Sequence, residues 1–310
     1  MNITLAALIS SVIIGMVPRA MPILAGAVGE TVSENAGILN LGVEGIMLMG
    51  AVTGFVVDYA TGSLILAFAA ALGVGVVVSS VHALASITFN ADQVISGTAI
   101  WFLGWGLSGV IFVSMFGNLP VPPSVAVASH VYLPVLSDLP VVGPLIFGED
   151  PFFYLLIAIL IGVHFFLFHT KQGLNLRAVG ENPAVAEIMG VNVTRYRYAS
   201  VLFGGLMAGF GGAYLVLSIV GSFYFDITVG AGFIAVALVY FGKWKTPRVF
   251  IGSLIFGAVY VLYYSLESVF PSVPYEFFAM WPYIATLVII ILVGSKARAP
   301  DSLAKPYSKE

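Results

Sequence analysis

The sequence predicts an all-α polytopic membrane protein with about nine transmembrane helices (eight to ten), its N-terminus outside and its C-terminus cytoplasmic. Three observations lead there. Of 310 residues, 60% are hydrophobic and 9% charged, whereas a soluble domain carries roughly a quarter charged residues. The apolar runs approach the ~20 residues that a helix needs to cross bilayer hydrocarbon. They are continuous and lack the period-2 alternation of barrel strands, which excludes a β-barrel.

Taken in order, the chain opens with an N-terminal span. No basic residue precedes it and Arg19 follows it or lies within it. That is the reverse of a secretory signal, so residues 1–30 are expected to stay in the protein. The span is expected to end at Arg19 or, in a longer helix, near Gly29. The longer form puts an arginine in mid-membrane at about 2.5–3.5 kcal/mol on insertion scales, to be met by snorkelling or by a partner such as Glu30 or Glu34. Further apolar runs cover residues 41–58, 62–86, 95–115, 151–169, 198–222, 228–242, 248–266 and 280–294. The longest stretches between runs, 116–150 and 170–197, are too short to fold alone, so residues 1–310 read as a single membrane domain.

Charge placement orients it. All 12 basic residues lie at Arg19 or in three clusters, Lys171 to Arg197, Lys243 to Arg248 and Lys296 to Lys309. The positive-inside rule makes those clusters cytoplasmic. The alternate loops carry only acids: Asp58; Asp138, Glu149 and Asp150; Asp226; Glu267 and Glu276. Loop 116–150 is therefore extracytoplasmic and loop 170–197 cytoplasmic, and nine crossings that end inside begin outside. The net charge of −3 gives no pointer to nucleic acid. With no cysteine, disulfides, thiol catalysis and Cys-ligated metals are excluded.

Several polar or small residues stand out against this background. Gly204, Ala208 and Gly212 form one small-residue stripe and Gly205, Gly209 and Ala213 another, the spacing that lets helices pack closely in lipid or slide. The segment Gly29 to Gly45 places Glu30, Glu34, Asn35, Asn40 and Glu44 between two apolar runs, with Gly37, Gly42 and Gly45 weakening helical regularity. It reads either as a loop followed by a helix cap or as a broken helix lining a translocation path, with Glu44 an internal polar anchor. Candidate path residues are Asn40, Glu44, Gln93, Ser96, Trp101 and Trp105. The two tryptophans lie four apart on one helical face, suited to packing or to stacking on a planar solute. His82 and His164, each alone in an apolar span, read as packed, hydrogen-bonded side chains rather than ion-coupling groups.

The cytoplasmic loop is the sharpest feature. Asn182 is a good N-cap, Pro183 suits the first helical position and Gly190 supplies a left-handed stop, so Pro183 to Met189 should form a two-turn helix off the membrane. So short a helix needs a partner surface. No G-x-x-x-x-G-K-[ST] loop is present, so the chain is not expected to supply an ATPase activity itself.

The run G-L-N-L-R-A-V-G-E-N-P-A-V-A-E-I-M-G-V-N-V, residues 173–193, resembles the coupling-helix region of ATP-binding-cassette (ABC) importer permeases of the sugar, nucleoside and branched-chain amino acid type. Further matches are G-I-L-N-L-G-V-E-G-I-M-L-M-G-A, D-Q-V-I-S-G, L-P-V-L-S-D-L-P-V-V-G-P-L-I-F and G-A-G-F-I-A-V-A-L-V-Y-F-G-K-W. M-W-P-Y-I-A-T-L and the tail R-A-P-D-S-L-A-K-P-Y are most similar to the nucleoside subgroup. One position departs from the pattern: Trp101 stands where the family has Asn after S-G-x-A-x, which bears on the solute. The resemblance implies a subunit working as a dimer with itself or a paralogous permease in a bacterial or archaeal plasma membrane. ABC ATPase subunits would hold the ATP and magnesium, and an extracytoplasmic solute-binding protein would deliver solute. The coupling contact falls on Gly180, Glu181, Asn182, Pro183, Ala184, Glu187 and Gly190. A sugar or amino acid permease and an ion-coupled secondary transporter are the rival readings.

Overall fold

The computed structural model describes residues 5–132, 134, 137, 143–270, 272–294 and 298–308. Asp138, Lys296 and Lys309, used above for orientation, lie outside the described residues, as does most of the run from Leu133 to Val142. Among the described residues the regular structure is helical, with one isolated antiparallel bridge, Ser124 to Ser222.

In chain order the helices are α1 Leu5–Asn35, α2 Val43–Thr61, α3 Leu64–Ala83, α4 Gln93–Phe116, α5 Pro151–His169, α6 Lys171–Glu181, α7 Pro183–Ile188, α8 Val193–Tyr214, α9 Ala231–Phe241, α10 Thr246–Val269, α11 Tyr275–Ala279 and α12 Trp281–Gly294. Wider π-helical turns continue α3 at Leu84–Thr88 and α8 at Leu215–Val220. Asp92 and Asp150 cap α4 and α5, each accepting from two backbone N–H groups, which satisfies donors that a helix start leaves free.

Among the described residues, seven helices are long and apolar enough to cross a membrane. The expected span at 228–242 is instead a shorter apolar helix, α9, and the one at 280–294 coincides with α12, whose 14 residues also fall short of a full crossing. With 11 residues, α9 rises about 16 Å, roughly half the hydrocarbon thickness. Its ends explain this: Gly230 is left-handed at the start, and Lys243 and Trp244 have positive φ just past the end.

The N-terminal helix departs from expectation in the other direction. It passes Pro18, Arg19 and Pro22 and ends only at Asn35, because α8 and α10 pack along it and neighbouring helices re-satisfy backbone groups freed by proline. Arg19 does not pair with Glu30 or Glu34, which lie about 16 and 22 Å further along the helix axis. Its guanidinium sits over the Tyr264 ring, 4.8 Å from the centroid.

Helices α1, α2 and α8 form the buried centre, with α3, α4, α5 and α10 outside them. The small stripes of α8 are used for packing. A Cβ on Gly212 would overlap the Met47 carbonyl of α2, and one on Gly209 would overlap the Ala71 carbonyl of α3, so the backbones approach closely as membrane helices do at small residues.

Candidate functional site

Three features stand out, two inside this apolar bundle and one at its edge. The first is the break between α1 and α2. Gly37 turns the chain at φ +86°, and every turn that follows is tied down. Asn40 donates its backbone N–H to Glu30 Oε1 at 2.7 Å, and its own Oδ1 accepts from Gly42 N at 2.9 Å. Gln93 Oε1 accepts from Leu39 N at 2.8 Å. The buried His82 ring bridges the Leu39 carbonyl, 3.2 Å, and Ser96 Oγ, 3.0 Å. Non-helical backbone away from water needs such partners. The structure thus brings together Asn40, Gln93 and Ser96 as the scaffold of a broken segment. Glu30 Oε2, Glu34 Oε1 and Gln93 Nε2 remain buried without a partner.

The second feature is the start of α9, which has no side-chain cap of its own. Glu44, from the first turn of α2, supplies one from across the bundle. It accepts from Gly232 N at 2.6 Å, Gly230 N at 2.9 Å and Thr228 Oγ1 at 2.5 Å. The approach leaves no room at Gly232, where a Cβ would lie 2.5 Å from the Glu44 Cα. A carboxylate there meets the positive end of the helix dipole. Glu44 is 1% exposed, so in this conformation it faces the protein rather than a channel.

Beside it, α1, α10, α12 and the 227–231 turn enclose a partly open cavity of about 90 Å³, lined by Arg19, Tyr260, Tyr263, Tyr264, Tyr283 and Thr228 among apolar residues. Tyr283 donates to the Val229 carbonyl at 2.8 Å, which fixes its ring against the turn.

Trp101 and Trp105 lie on α4 but meet different neighbours. Trp101 packs on Phe102 and edge-on to Phe233. The more exposed Trp105 meets Phe225 edge-on and bonds to Asp226. Burial pushes the Asp226 carboxyl up from its ordinary value, and the Trp105 bond partly offsets it.

The third feature is the 170–197 stretch. It is not a loop with one short helix but two helices meeting at an elbow. Thr170 caps α6, which runs to Glu181 despite two glycines, because both are needed for contact. A Cβ on Gly180 would overlap the Asn35 carbonyl, and one on Gly173 the Phe166 carbonyl. Asn182 Oδ1 then accepts from Val185 N at 3.1 Å, Pro183 occupies the first turn, and Gly190 turns the chain at φ +86°. Glu181 and Ala184 are exposed.

The short helix also has support within the chain. Ala186 is buried with Val179 and Val193, and Glu187 accepts from Tyr307 OH at 2.6 Å. Ser302 reaches the Gly180 carbonyl through its backbone N–H, 3.0 Å, and its hydroxyl, 2.6 Å. Arg197 donates to the Ser302 hydroxyl at 3.4 Å and lies over the Tyr307 ring. The far side of the elbow is apolar and bare, with Val185, Ile188 and Met189 54%, 84% and 77% exposed. Sequence reading passed over these three residues, although three large apolar side chains in five positions of a polar loop are a signal. It also passed over Ser302 and Tyr307, whose contacts are more than 100 residues distant, and the cavity at Arg19.

Comparison with known proteins bears on these features. The family model described as "Branched-chain amino acid transport system / permease component" matches residues 12–293. The nucleoside ABC transporter permease protein NupC of Lactococcus lactis is 33% identical, with 96% of each chain covered. The guanosine ABC transporter permease protein NupQ of Bacillus subtilis is 34% identical, with 94% of each covered. A Haloferax volcanii protein provisionally named as a glucose ABC transporter permease is also 34% identical, over 95% of this chain and 96% of its own. No solved structure matches.

Proposed function

Since the chain belongs to the branched-chain amino acid transport system permease family, we propose that it is the membrane subunit of an ABC importer for nucleosides. The observation that carries this reading is the α6–α7 elbow, whose capped short helix presents a bare apolar face off the spans in a chain resembling nucleoside permeases along nearly its whole length. An apolar helix face of this kind suits a groove in another protein. In this reading the groove belongs to an ABC ATPase, with Gly180 and Gly190 setting the elbow, Asn182 and Pro183 starting α7, and Glu181, Ala184 and Glu187 at its edge.

The spans lie in the plasma membrane with the elbow and tail cytoplasmic and the 116–150 loop outside. Two permease subunits, alike or paralogous, pair above two ATPases that carry the ATP and magnesium, and an extracytoplasmic binding protein delivers solute. The helices flanking the fixed break at 36–42 carry it onward, α1 touching α6 where Asn35 meets Gly180 and α2 reaching α9 through Glu44. A displacement at the elbow therefore has a contiguous packed route to the bundle interior. Sugar import is a second reading, favoured by the Haloferax relative.

Affinity purification of the tagged chain from its native membrane, followed by mass spectrometry, tests the assembly. Recovery of an ABC ATPase and a solute-binding protein is expected; a chain that purifies without an ATPase and still transports would overturn it.

A further inference from the structure

The cavity beside Arg19 is not used by anything above, and its chemistry is specific. Arg19 lies near the middle of α1, and among the described residues the only ion pair is the exposed Arg298–Asp301. A guanidinium in mid-membrane without a carboxylate is costly, and such residues face a cavity or a functional path. This one does: it lines the cavity, held by the Tyr264 ring at 4.8 Å. The other polar walls are aromatic, from Tyr260, Tyr263 and Tyr283. Ile23, Ile227 and Pro282 supply apolar surface.

These groups select a ligand class. Tyrosine faces stack on planar rings. Guanidinium has five donors and no acceptor, arranged as a fork that fits two adjacent acceptor atoms. One cation among apolar walls does not replace the water lost by a phosphate. The volume of about 90 Å³ is well below the ~300–1,000 Å³ of pockets that enclose drug-sized ligands, so the partly open cavity takes the edge of one ring system and leaves the rest of the solute in the mouth. The fork suits the adjacent O6 and N7 acceptors of a 6-oxopurine and meets a repelling N6 amino donor on adenine.

We infer that this cavity is a base-recognition subsite of the permease, with Arg19 reading 6-oxopurines against 6-aminopurines and the surrounding tyrosines clamping the ring. This rests on the nucleoside-importer reading and deepens it. Thr228, which lines the same cavity while bonding to Glu44, ties occupancy of the subsite to the cap of α9.

The test uses the complete transporter in proteoliposomes, with labelled guanosine uptake competed by unlabelled inosine or adenosine. The parent should be inhibited by inosine at least about tenfold more effectively than by adenosine, and Arg19→Gln should bring that ratio close to one, since a bidentate guanidinium contact carries discrimination of that order. Arg19→Lys should fall between, keeping the charge but losing the fork. Loss of the charge eases membrane insertion rather than hindering it, and assembly with the ATPase is checked by co-purification. Guanosine transport with the same inosine-to-adenosine ratio in parent and Arg19→Gln would overturn the subsite alone and leave Arg19 a packing cation. A parent complex that takes up no nucleoside would overturn the importer reading and the subsite with it.

Discussion

Removing the Glu44 carboxylate perturbs the bundle at a point where the cost can be worked out. Glu44→Ala strips the acceptor from the buried Gly232 N, the half-buried Gly230 N and Thr228, whose hydroxyl can turn elsewhere. The buried Gly232 donor left unsatisfied costs about 1–3 kcal/mol and the half-buried Gly230 loses a net hydrogen bond of about 0.5–1.5 kcal/mol, about 1.5–4.5 kcal/mol together. Glu44→Gln retains one acceptor oxygen but turns an NH₂ toward the remaining donor, for about 1–3 kcal/mol. Thermal unfolding of the purified complex should rank parent above Gln above Ala, and hydrogen exchange should show earlier opening at the amides of the first turn of α9. If both variants unfold with the parent and α9 exchanges unchanged, the capping assignment is wrong. A Gln variant with parental stability and no transport would instead make Glu44 a solute contact.

Other outcomes follow from the same structure. At Gly190, φ is +86° with open space around the missing Cβ, so Gly190→Val is strained by conformation alone, about 1–2 kcal/mol; insertion and assembly of the spans should persist while ATP hydrolysis uncouples from transport, and Gly190→Asn should be milder. Unchanged coupling in Gly190→Val would remove the elbow from the mechanism. The Glu149 carboxyl is pushed up to about 7, by burial first and Asp150 second. Because its folded value exceeds its unfolded one of 4.5, its stabilising contribution is present below that lower value and is lost as pH rises through about 7. The unfolding midpoint should therefore fall between pH 5 and pH 8, and less so in Glu149→Gln; identical slopes would refute the assignment. Single cysteines at the exposed positions Ser129 and Ser272 should be labelled from outside, and one at Ser308 only after permeabilisation. Labelling at Ser308 in intact cells would reverse the orientation.

The sequence made the helices legible where apolar length alone decides them, as in α2, α3, α4, α5 and α10. It also located α7, since Asn182, Pro183 and Gly190 are local punctuation whose geometry hardly depends on the rest of the chain. What it did not convey depends on partners distant in sequence. α6 was hidden because Gly173 and Gly180 lower helix propensity, and only their contacts with Phe166 and Asn35 show why they are there. α9 looked like a span because its residues are apolar, yet its start is set by Glu44, nearly 190 positions earlier. Glu30 and Glu34 looked like partners for Arg19 from charge alone. The Asn40 backbone and the Trp244 indole, which donates to Glu34 at 2.6 Å, claim them first. The named path residues Asn40, Gln93 and Ser96 were found by their polarity, but the role the geometry gives them, holding a break in the backbone, needed the partners Leu39 and His82.

The central claim is that this chain passes nucleosides across the membrane on energy delivered by an ATPase at the α6–α7 elbow. It is tested most directly by guanosine uptake into proteoliposomes holding the complete complex, with ATP on the elbow side, the binding protein on the other, and ionophores present to dissipate proton and sodium gradients. The account predicts uptake that requires ATP hydrolysis and continues undiminished with the gradients collapsed. Uptake that stops when the gradients are lost while ATP is still hydrolysed, or that proceeds without ATP when a gradient is imposed, would contradict it.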